Sequence, residues 1–204
     1  MSTISLLTLI SAMLLLAIVP GPGVFAIIAR SFSSGFLRGV YMTMGMLLAD
    51  YFFIVLALFG LSALSEIMGA AFIVIKYLSA VYLMWLGYKL LKSSGTKMEI
   101  EASVQSSLGA SFMAGLLVTL GNPKAILFYV GFFPAFVNVE TVSTYDMGLI
   151  MLAATLAFGS VNLGYAFMAV KAKGIFKSAN ASNVINKAAG SIMVSTGVLV
   201  AVKG

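Results

Sequence analysis

Long apolar runs, separated by short polar breaks, follow one another along the whole chain. Runs of this length are typical of membrane-spanning helices, because about 20 apolar residues cross the hydrocarbon core of a bilayer. With charged residues taken as breaks, the pattern predicts six spans, or five if the short last run does not cross. We place these spans near residues 5–28, 39–64, 69–91, 109–134, 146–170 and 186–203.

The composition fits a protein built for lipid. Hydrophobic residues fill 61% of the 204 positions and charged residues only 9%. A soluble domain carries about 25% charged residues, because its surface faces water. The chain has no Cys and no His, which excludes thiol chemistry, soft-metal ligation and Ser-His or Cys-His nucleophiles. We therefore expect a single all-α integral membrane domain over residues 1–204, with no enzymatic activity, no metal and no cofactor.

Basic residues lie in alternate loops. The loops after the first, third and fifth predicted spans hold Arg30, Arg38, Lys89, Lys92, Lys97, Lys171, Lys173, Lys177 and Lys187. The opposite side holds Lys203 beside a few acidic residues. By the positive-inside rule, the basic side is cytoplasmic and both termini lie outside, in the periplasm. The same rule explains the net charge of +6, so we expect no nucleic acid partner.

A polar linker at residues 93–107 divides the chain into two halves. Each half opens with a span that proline interrupts, at residues 20–23 and at residues 121–124. Because each half holds an odd number of spans, the second half must start from the opposite face of the membrane. We therefore predict two inverted three-helix repeats, at about residues 1–92 and 108–204, with helices 1 and 4 broken by proline. Many secondary transporters have this architecture and bind substrate where the broken helices meet.

The two breaks are the first candidate site. Proline removes a backbone donor and disrupts the preceding helical turn, which frees carbonyl and amide groups inside the membrane. The structural alternative is a kink for close packing, or simply a helix end at the cytoplasmic face. The candidate substrate-binding residues at the breaks are Pro20, Gly21, Pro22, Gly23, Asn122, Pro123 and Lys124.

Charges within the apolar runs are the second candidate. An ionised side chain is costly there, so Asp50, Lys76 and Lys124 are functional candidates by default. Helical rise places Asp50 about 16 Å and Lys76 about 20 Å from the cytoplasmic face, so these two side chains could pair. The pair either ties two helices together, or serves transport, with Asp50 carrying a proton or Lys76 alternating between Asp50 and a substrate carboxylate. Lys124 either meets substrate or extends to the outer interface.

Smaller signals complete the set of candidates. Asn162 either lines a cavity or makes an interhelical hydrogen bond. Tyr82, a further candidate for the site, belongs with Trp85 and Tyr88 to an aromatic group typical of a membrane interface. Glycines in the spans are most simply packing contacts between helices. They are Gly35, Gly39, Gly45, Gly190 and Gly197.

Four stretches of the chain follow, in order, a pattern known from one family. They are residues 19–23, Asp50 after Gly45, residues 76–83 with Gly87, and residues 122–128 with Phe133 and Phe136. They resemble the LysE/RhtB family of amino-acid exporters over nearly the whole chain. The resemblance implies a carrier of the bacterial inner membrane for secondary active efflux of amino acids or close analogues, driven by the proton gradient. Family members often carry Asn or Asp where this chain has Gly23, which leaves the identity of the substrate open.

The leading prediction is therefore proton antiport that exports neutral or basic amino acids, with the substrate and the lipid bilayer as partners. The alternative is a non-transporting membrane assembly or regulatory subunit, whose buried charges only tie helices together. An intramembrane hydrolase has little support, because a serine nucleophile would have only Lys or Asp as its base. A homo-oligomer stays open, since no motif in the sequence bears on the oligomeric state.

Overall fold

The computed structural model describes the backbone of residues 1–63, 67–92, 107–129, 133–137, 141–175 and 179–203. The helices in these ranges are α1 (Thr3–Ile18), α2 (Pro22–Ser34), α3 (Phe36–Ala63), α4 (Ile67–Lys92), α5 (Leu108–Leu120), α6 (Pro123–Leu127), α7 (Thr144–Ala154), α8 (Ser160–Ile175) and α9 (Ala179–Lys203). A 3₁₀ turn, Phe133–Ala135, follows α6, and a π-helical turn, Thr155–Gly159, joins α7 to α8. The predicted all-helical class is confirmed for the described ranges. Most of the predicted linker lies outside them.

Apolar side chains cover the outside of the helices as well as the inside. Large exposed examples are Leu7, Leu15, Leu127, Leu156 and Met168. Such a surface suits hydrocarbon, in which helices satisfy their own backbone groups. Among the described residues, Phe36–Leu58 and Thr144–Ala172 are each long and apolar enough to cross a membrane, and α1 with α2 could form a third, bent span. The fold is therefore that of an integral membrane protein.

The first break separates α1 from α2 by a bend of 58°. The chain is extended at Val19 and again at Gly21, and Pro22 then opens α2. Proline suits this place, because the first helical turn needs no amide donor and the φ angle of proline is already helical. The first predicted span is therefore two helices, and α2 continues past residue 28 to Ser34.

Gly35 ends α2 and starts the turn into α3. Its φ is 92°, in the left-handed region that favours glycine. In the described part of the chain, no atom beyond its immediate neighbours lies within 4 Å of the place where its side chain would stand. The predicted packing contact at Gly35 is therefore wrong, and a turn takes its place.

The other predicted glycines do bring helices together. A methyl group at Gly45 would overlap the carbonyl of Phe112, where α3 meets α5. A methyl group at Gly87 would lie 2.7 Å from the Gly190 carbonyl oxygen, where α4 meets α9. Small residues let membrane helices approach closely, so that dispersion and weak hydrogen bonds hold them. The predicted packing role is confirmed for Gly39, Gly45, Gly190 and Gly197.

The second break separates α5 from α6. Helix α5 ends at Leu120, and Pro123 opens α6. Between them, the side-chain oxygen of Asn122 accepts a hydrogen bond from the Lys124 backbone amide at 3.1 Å. A side-chain oxygen in this position caps the new helix, because the first amides of a helix have no internal partner. The fourth predicted span, residues 109–134, is thus divided.

The last helix differs from its predicted bounds. It begins at Ala179 rather than near residue 186 and has 25 residues. Lys187, which the sequence pattern treats as a break, is an exposed side chain within it. A long lysine side chain can lie on the surface of a helix without ending it.

Two clusters of buried apolar side chains fill the interior. One joins α1, the second half of α3, and the chain from α6 to the π turn, with Leu9, Phe53, Phe133 and Ile150 among its members. The other joins α2, the first half of α3, α4, α5, α8 and α9, with Ile27, Met42, Leu83 and Met193. The chain passes from one cluster to the other at each helix break, so both breaks lie at the boundary between the clusters.

Candidate functional site

A cavity of about 70 Å³ lies at the two helix breaks. Six of the predicted site residues line it, namely Gly21, Gly23, Asp50, Asn122, Lys124 and Asn162. The other lining residues are Leu16, Ala17, Val24, Met46, Thr119, Ala125, Tyr129 and Phe158. The predicted prolines Pro20, Pro22 and Pro123 belong to the breaks themselves. The cavity therefore joins residues from both halves of the sequence.

Lys124 closes the C-terminal end of α1. Its ammonium group donates hydrogen bonds to the carbonyl oxygens of Leu16 and Val19, each at 2.5 Å. In a continuous helix the Leu16 carbonyl would accept from the amide of residue 20, but Pro20 has none. A helix C-terminus is also the negative end of the helix dipole, so a cation is stabilised there. Lys124 is thus held against α1.

Tyr165 of α8 binds the same helix end. Its hydroxyl donates a hydrogen bond to the Ile18 carbonyl oxygen at 2.8 Å. In a continuous helix that carbonyl would accept from the amide of residue 22, and Pro22 has none. The two prolines of the first break therefore free two carbonyls, and side chains from the second half of the chain occupy them.

Asp50 is the acidic side chain at the cavity. It lies on α3 and is 5% exposed. In the described part of the chain, no Lys or Arg side chain forms an ion pair with it. The side chain of Lys76 lies outside the described residues, so the Asp50–Lys76 pair stays a prediction. Among the described residues, no three potential metal ligands of the His, Cys, Asp or Glu type cluster together.

Tyr129 is a site residue that the sequence analysis missed. Its hydroxyl is buried, interacts electrostatically with Asp50, and makes no hydrogen bond to any described residue. Its ring stacks on Phe53, with the ring centres 5.6 Å apart. A single hydroxyl in the apolar run after Lys124 is the signal that could have identified it. Thr119, Met46 and Phe158 give no comparable signal.

Asn162 reaches the cavity just after the π turn. Its side-chain nitrogen lies 3.8 Å from the Met46 sulfur on α3. Within the turn, the Thr155 hydroxyl meets the Tyr51 hydroxyl at 2.5 Å and donates to the Met151 carbonyl at 2.8 Å. A π turn inserts extra backbone into a helix and occurs frequently at functional sites. Asn162 therefore lines the cavity and also contacts another helix.

Tyr82 does not reach this cavity. It lines a second cavity, of about 320 Å³, together with Arg30, Trp85 and Lys89. The ring centres of Tyr82 and Trp85 lie 5.8 Å apart, and the Lys89 ammonium group lies 4.3 Å from the Trp85 ring centre. This predicted site residue therefore belongs to a separate part of the molecule.

The fold is apolar and helical, and a polar, charged cavity lies where two helices are broken. Many membrane carriers share these features. The chain belongs to the family described as LysE type translocators, which matches residues 14–204. The family to which the sequence motifs pointed is thereby confirmed.

Individual relatives agree with this family. A protein of Synechocystis sp. described as an uncharacterized membrane protein is 39% identical over 194 residues, which are 95% of this chain and 94% of that protein. The leucine efflux protein of Klebsiella pneumoniae is 32% identical over 151 residues, 74% of this chain and 71% of its own. The leucine efflux protein of Salmonella typhimurium is 34% identical over 142 residues, which are 69% of this chain and 66% of that protein. No solved structure matches the chain. Family and relatives together support amino-acid export.

Proposed function

We propose that this protein exports amino acids across the bacterial inner membrane by secondary active transport, as a proton antiporter. One observation carries the proposal: a carboxyl group, that of Asp50, and an ammonium group, that of Lys124, line the same cavity. An amino acid needs one partner of each kind for its two charged ends. The relatives named leucine efflux proteins favour an apolar amino acid such as leucine as the cargo.

The ammonium group of a substrate finds partners at the end of α1 and at Asp50. The Leu16 and Val19 carbonyls already bind one ammonium group, that of Lys124. The Asp50 side chain lines the same cavity and adds a carboxyl group. Because the two ammonium groups have the same chemistry, we expect the substrate to compete with Lys124 for these carbonyls.

The substrate carboxylate finds partners at the start of α2 and at Lys124. Gly21, Gly23 and Val24 lie at this helix start and line the cavity. A helix N-terminus presents free amides and the positive end of its dipole to an anion. Once Lys124 leaves α1, its ammonium group can bind the same carboxylate by a charge-assisted hydrogen bond. Substrate binding thus replaces one internal contact of Lys124 with a contact to the cargo.

The substrate side chain meets an apolar wall. Ala17, Val24, Met46, Ala125 and Phe158 supply this part of the lining. The cavity of about 70 Å³ is small for an amino acid. We therefore expect it to widen when Lys124 moves away from α1.

Asp50 is our candidate for proton coupling. Of the described residues that line the cavity, it alone is acidic. In the described part of the chain Asp50 has no cationic ion-pair partner. An unpaired charge is costly inside a membrane, so we expect the carboxylate to take either the substrate ammonium or a proton. Release of the substrate to the outside followed by protonation of Asp50 would link efflux to proton uptake.

The proposal includes the architecture of two inverted three-helix repeats, with both termini outside the cytoplasm. The likeness of the two breaks supports it, since each ends a helix, leaves a short extended segment and starts the next helix with proline. The chain has no Cys, so single cysteines can report the side on which a residue lies. We expect a membrane-impermeant maleimide to label Thr144→Cys in intact cells and to leave Lys92→Cys unlabelled. The reverse pattern would invert the orientation.

The first test of the function is efflux from intact cells. Cells that make the protein are fed dipeptides, and mass spectrometry follows the amino acids in the medium. We expect the wild type and the control Glu101→Gln, in the polar linker, to release particular amino acids faster than cells without the protein. We expect Asp50→Asn, at an equal level in the membrane, to lose coupled efflux.

Two results would contradict parts of the proposal. Full efflux by Asp50→Asn at every external pH would remove Asp50 from the mechanism. If the wild type is in the membrane and moves no amino acid, the export function is wrong, and the non-transporting subunit becomes the better explanation.

A further inference from the structure

We propose that the second cavity is a cytoplasm-side binding site that receives the exported amino acid by its carboxylate and its apolar side chain. This inference rests on the proposed function, because it takes the ligand of the cavity to be the carrier's own cargo. The site is distinct from the cavity at the helix breaks.

The size and walls of the second cavity fit an apolar side chain. Its volume is about 320 Å³, larger than that of the cavity at the breaks. Its walls come from α2, α3, α4, α5 and α9, and most of the lining side chains are apolar, among them Met42, Leu86, Met113 and Met193. Small-molecule sites are typically apolar cavities with a few placed polar groups.

The polar groups of this cavity are cationic. Arg30 and Lys89 line it, and none of its lining residues is acidic in the described part of the chain. Arg30 is half-buried on α2 and interacts electrostatically with the Tyr82 hydroxyl. A guanidinium group offers a planar pair of donors that matches a carboxylate. The charge of the cavity therefore selects an anion, while its walls select an apolar body.

Aromatic rings stand beside these cations. Lys89 lies over the Trp85 ring, and the Trp85 ring lies next to Tyr82. Trp85 is half-exposed, so it reaches the surface of the protein. Arg30 and Lys89 both lie on the side that the distribution of basic residues assigns to the cytoplasm. The cavity therefore lies on the side from which an exported molecule arrives.

The position of the second cavity connects it to the first. On α2, Val24 lines the cavity at the breaks and Ala26 lines the second cavity. On α3, Met46 lines the first and Met42 the second, about one helical turn apart. A cargo that moves from Arg30 to Lys124 would follow this helix pair. This continuity favours the cargo over an anionic lipid, which could bind Arg30 by the same chemistry.

Trp85 provides a direct reporter, because it is the one tryptophan in the chain. The full-length protein in phosphatidylcholine nanodiscs is titrated with three probes, and Trp85 fluorescence is followed. The probes are leucine, 4-methylpentanoate, which lacks the ammonium group, and 3-methylbutylamine, which lacks the carboxylate. We expect saturable changes with leucine and with 4-methylpentanoate, and none with the amine.

Variants assign the response to Arg30. We expect Arg30→Gln to weaken the binding of 4-methylpentanoate about tenfold or more, since it removes a charge-assisted pair. Arg38→Gln is the matched control, because Arg38 is a neighbouring arginine that does not line the cavity. It should leave binding within about twofold. If Arg30→Gln does not fold, the comparison of the three probes on the wild type decides whether the cavity recognises the carboxylate.

The outcomes separate this inference from the proposed function. Efflux from cells without a Trp85 response to leucine overturns the inference and leaves the exporter in place. A Trp85 response to 4-methylpentanoate that Arg30→Gln loses, without any efflux, overturns the exporter and the cargo role of the cavity, and leaves only carboxylate binding at Arg30. A response to phosphatidylglycerol in the nanodisc, with none to leucine, makes the cavity a lipid site and overturns the inference. An equal response to the amine excludes recognition of the carboxylate.

Discussion

The two helix breaks have similar sequences, but their backbone groups find partners in different ways. The second break is self-contained, because Asn122 caps the helix that follows it and its backbone amide binds the Thr119 carbonyl, which Pro123 leaves without a donor. The first break has Gly21 at the corresponding place, which has no side chain to cap α2. Its freed carbonyls are bound instead by Lys124 and Tyr165, which come from the other half of the chain.

This difference assigns the breaks different tasks. The first break presents carbonyl groups that must bind a donor from elsewhere, and the second break supplies that donor. An ammonium-binding site is therefore already built into the end of α1, and the protein's own Lys124 fills it. A substrate that competes with Lys124 would act on both breaks at once, whereas two self-capped breaks would offer it nothing.

Removal of the link between the breaks should have the largest effect. In Lys124→Met the Leu16 and Val19 carbonyls lose their charged donor, and the proposed contact between Lys124 and the substrate carboxylate is lost as well. A hydrogen bond to a charged group is worth about 1.5–3 kcal/mol, and Lys124 is only half-buried, so we expect efflux to fall by about a hundredfold. The measurement is the leucine efflux rate at equal protein in the membrane.

The matched control for this change is Lys171→Met. Lys171 lies 4.8 Å from the centre of the Phe167 ring, and its side chain is exposed, away from the cavity. It should export at the normal rate, and Lys124→Arg should recover part of the activity because it keeps the charge. Normal efflux by Lys124→Met would show that the link between the breaks is structural only.

A change in the first break should alter selectivity more than stability. In Gly23→Ala the new methyl group would lie 3.6 Å from the Met46 methyl carbon, an ordinary contact, so the fold should tolerate it. The methyl group would still occupy cavity space at the start of α2. We expect leucine export to fall about tenfold and alanine export to fall less.

The readout for Gly23→Ala is efflux of an amino-acid panel together with the thermal unfolding midpoint of the purified protein. Gly148→Ala serves as the control, since in the described structure no atom beyond the neighbours of Gly148 lies within 4 Å of its added methyl group. An equal loss of efflux for large and small amino acids would mean that the methyl group introduced at residue 23 disturbs the start of α2 rather than the cavity.

The cap of the second break should have a moderate effect. Asn122→Ala removes the bond to the Lys124 amide and should cost about 1 kcal/mol of stability. Ser107→Ala removes the equivalent cap of α5, where the Ser107 hydroxyl accepts from the Ala110 amide at 3.1 Å. We expect thermal unfolding midpoints to fall alike in both variants, and efflux to slow only in Asn122→Ala. Equal efflux in the two would make the second break a purely structural feature.

Tyr165→Phe should have the smallest effect of the series. It removes one neutral hydrogen bond, to the Ile18 carbonyl, which is worth about 0.5–1.5 kcal/mol. We expect a slightly lower unfolding midpoint and efflux within about twofold of the wild type. A loss as large as that of Lys124→Met would show that the two side chains at the end of α1 serve transport equally.

The sequence by itself determined the helical membrane class, the two breaks and the family. These are local properties. An apolar run of sufficient length prefers hydrocarbon wherever it lies in the chain, and a proline lacks its amide in any fold. Asp50 and Lys124 likewise stand out because a charge in an apolar run is unusual whatever surrounds it. Helix ends were less predictable, since α9 begins at Ala179 and runs through Lys187, and Gly35 serves a turn.

Only the tertiary structure decided which groups meet. It placed Lys124 on the carbonyls of α1, Tyr165 beside it and Tyr129 near Asp50, and it assigned Tyr82 to a different cavity. Each of these contacts joins residues on different helices. The hydrophobic pattern predicts which segments lie in lipid, but it does not predict which helices pack against each other. The prolines in the sequence show that two carbonyls lack their helical donors. The packing of the second half of the chain against the first brings Lys124 and Tyr165 to these carbonyls.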